Sequence, residues 1–266
     1  DERFREMDAY GDYRQIISLP QPPIEDVSSP EAGSELAKIA NNAMAELVAG
    51  HPDHFAGFVA AMCLHNMEAT MAEIDRAIDD LGAKGIQIFT NIKGRPLDDA
   101  QFLPVFDAMA KRDLPIWLHP TRTANVTDYG TEAKSRYEMW WAFGWPYDTT
   151  VAMSRLVFSG LFDRHPDIKI ITHHLGGMVP YFAGRIDPGL SVLGARTTDE
   201  DYSGILDTLK KPHAEYFKMF YGDTAMGGGF EGTRCGLEYF GADHVIFATD
   251  APVGGPITDM FQVMDR

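Results

Sequence analysis

Residues 167–177, DIKIITHHLGG, change abruptly from apolar to polar along their length. Ile168, Ile170 and Ile171 form a β-branched run of the kind found in strands that are buried on both faces. Two histidines and two glycines follow directly, so the apolar part ends where a chemical site could begin. In a parallel α/β barrel the active site lies at the carboxyl ends of the strands, and a histidine at such a position is therefore a candidate functional residue.

Two other strand-like runs end in the same way, residues 114–120 (LPIWLHP) and residues 244–252 (HVIFATDAP). The three ends together offer His119, His173 or His174, and Asp250. Imidazoles and a carboxylate that meet on one rim are the ligand types of a catalytic zinc or of a similar divalent ion. The sequence therefore predicts a metal site at the carboxyl end of a parallel sheet.

Strand-like and helix-like segments alternate along the whole chain, which predicts a parallel sheet in a single α/β domain over residues 1–266. The predicted strands are residues 13–19, 55–62, 85–90, 115–119, 168–173, 217–221 and 245–249. A (β/α)8 TIM barrel is expected, lacking its first strand and last helix, because the sequence starts in one helix and stops in another. The alternative is an open doubly wound sheet, but no G-x-G-x-x-G motif follows any strand.

Apolar periodicity predicts helices between these strands. They are expected at residues 1–11, 34–50, 67–81, 98–111, 148–162, 231–240, from about 178 and from 258. Ser34 is a plausible N-cap of the second of these. An aromatic insertion at about residues 121–147 is expected either to pack on itself or to line a pocket.

Composition excludes several classes of function. A formal net charge of -16 argues against a basic face for nucleic acid or for an anionic membrane. No apolar run approaches the roughly 20 residues of a membrane span. Cys63 and Cys235 are the two cysteines of the chain, which fits a reducing, cytoplasmic location.

The candidate site residues each have an ordinary structural alternative. A lone histidine such as His119 is commonly a core residue bonded to backbone, and Asp250 could cap a helix. Of the adjacent histidines, one is expected to face the barrel interior because neighbouring strand residues point to opposite sides. His174 is assigned that position because glycines follow it, and His173 is then expected to face the helices as a satisfied buried histidine. The reverse assignment stays open.

Three motifs, LHP at 118–120, THHLGG at 172–177 and ATDAP around Asp250, resemble the amidohydrolase superfamily in their order and spacing. The similarity is to its branch of metal-dependent nonoxidative decarboxylases, of the aminocarboxymuconate-semialdehyde and γ-resorcylate type. Shorter similarities extend over almost the whole chain: RFREMDAYG, GIQI, GLFDRHPDIKI, GRID and YGDTA. Each motif alone is weak, and the set is specific.

This resemblance implies one divalent ion, zinc first with manganese as the alternative, held by an H-x-H pair on the first strand, by His119 and by Asp250. None of the 9 histidines forms an H-x-H, which we attribute to a sequence that begins after that strand. The resemblance also implies that His174 is the catalytic acid and base, acting beside Asp250. Arg3 and Arg185 would bind the substrate carboxylate, and the protein would be a homodimer in which Arg185 reaches across the interface.

The expected function is that of a carbon–carbon lyase that releases carbon dioxide from a small aromatic or unsaturated carboxylic acid. No redox cofactor, nucleic acid or membrane partner is expected. One alternative is a metal-dependent hydrolase or hydratase on the same barrel, which needs the same residue types. Another is a barrel that binds a ligand without catalysis. Carbon dioxide release distinguishes the first alternative, and metal analysis distinguishes the second.

Overall fold

The computed structural model describes residues 2–202 and 204–265. Its strands are β1 (Gln15–Ile17), β2 (Phe55–Phe58), β3 (Ala60–Ala61), β4 (Ile86–Phe89), β5 (Asn91–Ile92), β6 (Arg95–Pro96), β7 (Ile116–His119), β8 (Ile170–Thr172), β9 (Tyr221–Asp223) and β10 (Val245–Ile246). Its helices are α1 (Glu2–Asp8), α2 (Ile24–Val27), α3 (Pro30–Gly50), α4 (Met67–Asp75), α5 (Leu103–Arg112), α6 (Met139–Ala142), α7 (Gly144–Phe158), α8 (Leu161–Arg164), α9 (Ala183–Leu190), α10 (His213–Phe217), α11 (Phe230–Phe240) and α12 (Ile257–Met264).

The main sheet contains β3, β4, β7, β8, β9 and β10, and each neighbouring pair is parallel. A second parallel pair joins β1 to β2. Val59 alone separates β2 from β3, and its N–H donates to the Ile17 carbonyl at 2.8 Å, so the two sheets form one continuous layer. The strands follow one another in sheet order as they do in sequence, as in a barrel, whereas a doubly wound sheet reverses its order at a switch point. The prediction of a parallel α/β barrel is confirmed.

The two edges of this layer, β1 and β10, approach each other through aromatic side chains. Tyr13, just before β1, meets Phe247, just after β10, edge to face with ring centroids 6.2 Å apart. Phe261 of α12 stacks on Tyr10 at 4.1 Å. Within residues 2–202 and 204–265, no strand pairing joins β1 to β10. Side-chain packing therefore brings the first and last described strands together.

The core lies on both faces of the sheet. Phe89 and Ile171 lie on one face and are 6% and 3% exposed, and the other face carries five residues that are each at most 1% exposed: Ile86, Ile88, Ile116, Leu118 and Ile170. Continuous apolar strands of this kind are typical of parallel sheets, since helices cover the outer face and side chains fill the interior. Each such side chain contributes about 1.5–3 kcal/mol when fully buried. Among the described helices, none combines the length and the apolar character needed to cross a bilayer.

The sixth predicted strand, at residues 217–221, is wrong in its bounds. Phe217 ends α10, which starts after Pro212, and the strand itself is Tyr221–Asp223. Phe217 is fully buried on this short helix. In the sequence, a buried apolar residue on a helix looks the same as one on a strand, so the predicted strand begins too early. The strand ends at Asp223, so a carboxylate stands at its carboxyl end.

Four predicted helix starts are also wrong by four or five residues: those at 34, 98, 148 and about 178 are found at Pro30, Leu103, Gly144 and Ala183. The helix predicted from Ser34 begins at Pro30, and the Ser29 hydroxyl accepts from the Ala32 N–H at 3.3 Å as its N-cap. Proline at the first helical position is favourable because its missing N–H is not needed there, and this signal outweighs Ser34. The helix expected from about residue 178 begins at Ala183, since the chain first completes a left-handed turn.

Candidate active site

The strand ends bring the three predicted site residues His119, His174 and Asp250 together. His119 is the last residue of β7, and its ring centroid lies 6.1 Å from that of His174. Nε2 of His174 lies 4.0 Å from Oδ2 of Asp250. His173 is also present, with its ring 4.9 Å from that of His119. The carboxyl ends of β7 and β8 and the loop after β10 thus bring three imidazoles and a carboxylate together, one imidazole more than the sequence predicted.

The environment of His119 keeps its imidazole neutral. The residue is 5% exposed, and its Nδ1 lies 2.7 Å from the Pro120 carbonyl, which can only accept a hydrogen bond. This contact favours the tautomer with the proton on Nδ1, which leaves the lone pair on Nε2. Burial, followed by the nearby imidazoles of His173 and His174, holds the pKa of His119 well below its usual value. A neutral imidazole with a free Nε2 is the form that binds a metal ion.

His173 does not face the helices, and that prediction is wrong. The residue lines the barrel cavity, and its Nδ1 lies 2.7 Å from Oδ2 of Asp223 at the end of β9. Burial by itself lowers the pKa of His173, but the Asp223 carboxylate outweighs this effect and raises it. Burial likewise raises the pKa of Asp223, and His173 outweighs it and lowers that pKa. A buried histidine–carboxylate contact therefore lies inside the site.

A left-handed turn explains why both histidines reach the same site. β8 ends at Thr172, and His174 and Leu175 then have φ values of +57° and +49°. Alternation of side chains applies only within a strand, and here it ends one residue before the pair. The His174 N–H donates to Oδ1 of Asp223 at 2.9 Å, which holds the turn in place. A Cβ at Gly177, where φ is +62°, would lie 2.4 Å from a backbone oxygen, so the turn needs glycine there.

Asp223 is a buried residue of this site that the sequence pattern did not reveal. It is 1% exposed and lies at the carboxyl end of its strand, in the run YGDTA. Like Asp250, it must be paired or bound, because a buried carboxylate without a partner is costly. A predicted strand that ends at Tyr221 places Asp223 in a loop and hides this signal.

Asp250 lies in the loop that follows β10. Its φ is +56°, a conformation that aspartate tolerates better than most residues. The Gly254 N–H donates to the Asp250 carbonyl at 2.7 Å, which closes the loop beneath the carboxylate. The side chain is 30% exposed, so it is open to a ligand in a way that Asp223 is not.

A cavity of about 340 Å³ runs from this rim into the barrel, and Arg3 lines it together with His173 and Asp250. Arg3 does not approach the histidines. Its Nε and NH2 groups donate to Oε1 of Gln15 at 2.8 and 2.6 Å, and its guanidinium lies 5.4 Å from the Phe55 ring centroid. Gln15 and Phe55 are the first residues of β1 and β2, so Arg3 lies at the amino end of the barrel. Burial lowers its pKa.

Arg185 is likewise not brought to the histidines of its own chain. It lies on α9 and is exposed. The aromatic insertion, by contrast, lines the site: the Trp145 ring meets that of His119 edge to face at 5.6 Å. Trp145 Nε1 donates to the Arg122 carbonyl at 3.2 Å, which ties the two ends of the insertion together. Of the two interpretations of the insertion, the pocket wall is the one that the contacts favour.

The donor set suits a divalent ion, although no three His, Cys, Asp or Glu side chains within 2–202 and 204–265 are arranged as a complete metal cluster. His119 offers a neutral Nε2, and Asp250 offers a partly open carboxylate. Nε2 of His173 is buried and has no hydrogen-bond partner in the described chain. A buried polar atom without a partner is costly, and a bound ion would remove that cost.

Comparison with known proteins identifies relatives over most of the chain. The family model described as Amidohydrolase matches residues 1–262. Gamma-resorcylate decarboxylase of Polaromonas sp. strain JS666 is 32% identical over 266 residues, covering 95% of this chain and 76% of that protein. The 2-amino-3-carboxymuconate-6-semialdehyde decarboxylase of Dictyostelium discoideum is 30% identical over 164 residues, covering 62% and 44%. A similar solved structure is the crystal structure of dihydroxybenzoic acid decarboxylase from Polaromonas sp. JS666, with bound manganese and the inhibitor 2-nitroresorcinol. It superposes on this chain with a TM-score of 0.82 at 28% identity, and the match covers 100% of this chain and 79% of the other.

Proposed function

The chain belongs to the amidohydrolase family, and from that premise we propose that it is a metal-dependent nonoxidative decarboxylase of small aromatic carboxylic acids. The observation that carries the proposal is the meeting of His119, His174 and Asp250 at one end of the barrel. An acid and base beside two ligand-type side chains is the minimum that such a reaction needs. The relatives at 32% and 30% identity are named as decarboxylases.

The chain's own residues supply binding and proton transfer. When bound, a divalent ion would draw electron density from an oxygen of the substrate and so assist loss of the carboxylate carbon. His119 and Asp250 would hold that ion. His174 would donate a proton to the ring carbon that carries the carboxylate, and the C–C bond would then break to release carbon dioxide. The aromatic side chain of Trp145 beside His119 offers a flat wall for a ring substrate.

The metal is proposed as a single divalent ion, either manganese or zinc. Manganese is the metal bound in the related crystal structure. Imidazole and carboxylate donors suit both ions, so the residues do not decide between them. The unpaired thiols of Cys63 and Cys235 support a reducing cytoplasm as the compartment, which fractionation of the source cells checks.

Carbon dioxide release is the direct test. The purified chain, supplied with Mn²⁺ or Zn²⁺, is expected to release one carbon dioxide per molecule of γ-resorcylate or a related hydroxybenzoate consumed. Removal of metal by a chelator should abolish the release, and added metal should restore it. Hydrolysis or hydration of a panel of esters, amides and alkenes without carbon dioxide release would instead support another member of the same family. Metal binding with no turnover of any substrate would support a binding protein.

The proposed assembly is a homodimer in which Arg185 serves the site of the partner subunit. In one chain Arg185 is exposed, and exposed aromatic residues lie just before its helix and in or beside the insertion: Tyr137, Phe143, Tyr147, Tyr181 and Phe182. Exposed aromatic clusters are typical of interfaces, and arginine suits a carboxylate. The guanidinium would then reach a substrate that it cannot reach in its own chain.

Mixing two inactive variants tests this assembly. An Arg185→Ala chain and a His174→Asn chain, unfolded together and refolded as a mixture, should form hybrids with one intact site, giving about a quarter of the parent activity by random pairing. Each variant refolded alone should stay inactive, and sedimentation should show a dimer. A mixture that remains as inactive as its components would contradict donation across the interface.

A further inference from the structure

The two ring nitrogens of His173 have the surroundings expected of a metal-binding histidine. One ring nitrogen, Nδ1, lies 2.7 Å from Oδ2 of Asp223. The other, Nε2, is buried without a partner among the described residues. Histidines that bind metal ions typically donate their second ring N–H to a carboxylate, which fixes the ring and makes the free nitrogen a better ligand. Asp223 supplies that carboxylate.

The distance between rings favours His173 over His174 as the second imidazole of one ion. Two imidazoles that bind an ion through nitrogen at about 2.1 Å, at a tetrahedral or octahedral angle, have ring centroids roughly 5 Å apart. The rings of His119 and His173 are separated by 4.9 Å. Those of His119 and His174 are separated by 6.1 Å, which is wider than adjacent ligand positions of either geometry allow.

We propose that His173 is a ligand of the active-site ion through Nε2, together with His119 and Asp250, and that Asp223 positions it. This inference rests on the proposed function, because it concerns the same ion. His174 then stays outside the ligand set, with Nε2 4.0 Å from Oδ2 of Asp250, and is free to exchange protons with the substrate. The adjacent histidines have separate roles, which the left-handed turn at His174 makes possible.

Asp223 also connects the two roles. Oδ1 accepts from the His174 N–H at 2.9 Å, while Oδ2 faces His173. One buried carboxylate thus fixes the ring of the proposed ligand and the backbone of the proposed acid and base. Asp223→Asn keeps Oδ1 as an acceptor but presents an amide N–H to His173, so it disturbs the ligand alone.

Mn²⁺ binding to the purified chain is the test, measured by calorimetry or by the EPR signal of free Mn²⁺. His173→Gln is expected to weaken the Mn²⁺ affinity by about 100-fold or more, and Asp223→Asn by about 10- to 100-fold. His165→Gln is the matched control, because His165 also pairs with an aspartate, Asp107, at 2.6 Å but precedes β8, at the opposite end of that strand from the site. It should bind Mn²⁺ as the parent does. Circular dichroism verifies that each variant is folded.

A thiolate substitution gives a readout that a purely structural histidine would not change. His173→Cys, loaded with Co²⁺, should show a sulfur-to-cobalt charge-transfer band that neither the parent nor His165→Cys shows. A His173→Gln protein with parental Mn²⁺ affinity, or no such band in His173→Cys, overturns the inference. If the parent still decarboxylates when either of those results is obtained, the proposed function is retained and only the role of His173 as a ligand is lost. A parent that binds no Mn²⁺ and releases no carbon dioxide overturns both.

Discussion

His174→Asn is expected to lower kcat/KM for decarboxylation by about 10²- to 10⁴-fold, the usual contribution of a positioned acid and base. The ring of His174 stands beside Asp250, which would hold the ion, with 4.0 Å between Nε2 and Oδ2. Asparagine is the better substitution than alanine, because φ at His174 is +57° and asparagine tolerates that conformation. The variant should therefore keep its fold while losing the proton-transfer group.

The measurement for His174→Asn combines initial rates with metal content. Metal stoichiometry should stay at the parental value, because His174 is outside the proposed ligand set. His54→Asn is the control, since His54 is a half-buried histidine paired with Asp8 at 2.9 Å, near the first helix. Turnover by His174→Asn within a few-fold of the parent would contradict the assigned role. Loss of bound metal would show instead that His174 is a ligand.

Most of this site is predictable from the ends of the apolar runs. His119 and Asp250 each follow a run of apolar residues typical of a buried parallel strand, so the change to a polar residue marks the carboxyl end of the strand. The regular spacing of such runs also predicts the parallel barrel. At His119 the inference succeeds because its strand is buried, which leaves a strong and local trace in the sequence. Before Asp250 the strand β10 has only two residues, and Ile246 is 38% exposed.

The errors at His173 and Asp223 have local causes that periodicity does not contain. Alternation places the two histidines on opposite faces, but His174 and Leu175 adopt left-handed conformations that glycine would ordinarily signal. Asp223 is missed because the buried Phe217 of α10 resembles the start of a strand. At both His173 and Asp223, tertiary packing determines the backbone conformation, and the backbone conformation in turn determines where the side chain lies.

Arg3 and Arg185 show a different limit. Their assignment comes from resemblance to relatives, and the single chain places Arg3 beside Gln15 and leaves Arg185 exposed. A residue whose partner lies on another subunit has no signal in the periodicity of its own chain. Its role depends on assembly, which is a property of the surface and not of the core.

Asp250→Asn is expected to weaken the affinity for the divalent ion by about 100-fold or more and to reduce decarboxylation in the same proportion at limiting metal. Asparagine has nearly the same shape as aspartate and accepts the φ of +56°, so the loop that follows β10 should stay intact. What the substitution removes is a negative charge that a divalent ion requires. The effect should therefore be recovered in part by high Mn²⁺ concentration, which is not expected for His174→Asn.

A pair of titrations distinguishes the two kinds of defect. Activity is followed against Mn²⁺ concentration for the parent, Asp250→Asn and His174→Asn, with Asp243→Asn as an exposed control on the segment before β10. The Asp250→Asn curve should shift to higher Mn²⁺, whereas the His174→Asn curve should keep its midpoint and lose its plateau. An Asp250→Asn protein with the parental midpoint would remove Asp250 from the ligand set. The ion would then have to be held by the imidazoles alone, and the carboxylate would act directly on the substrate.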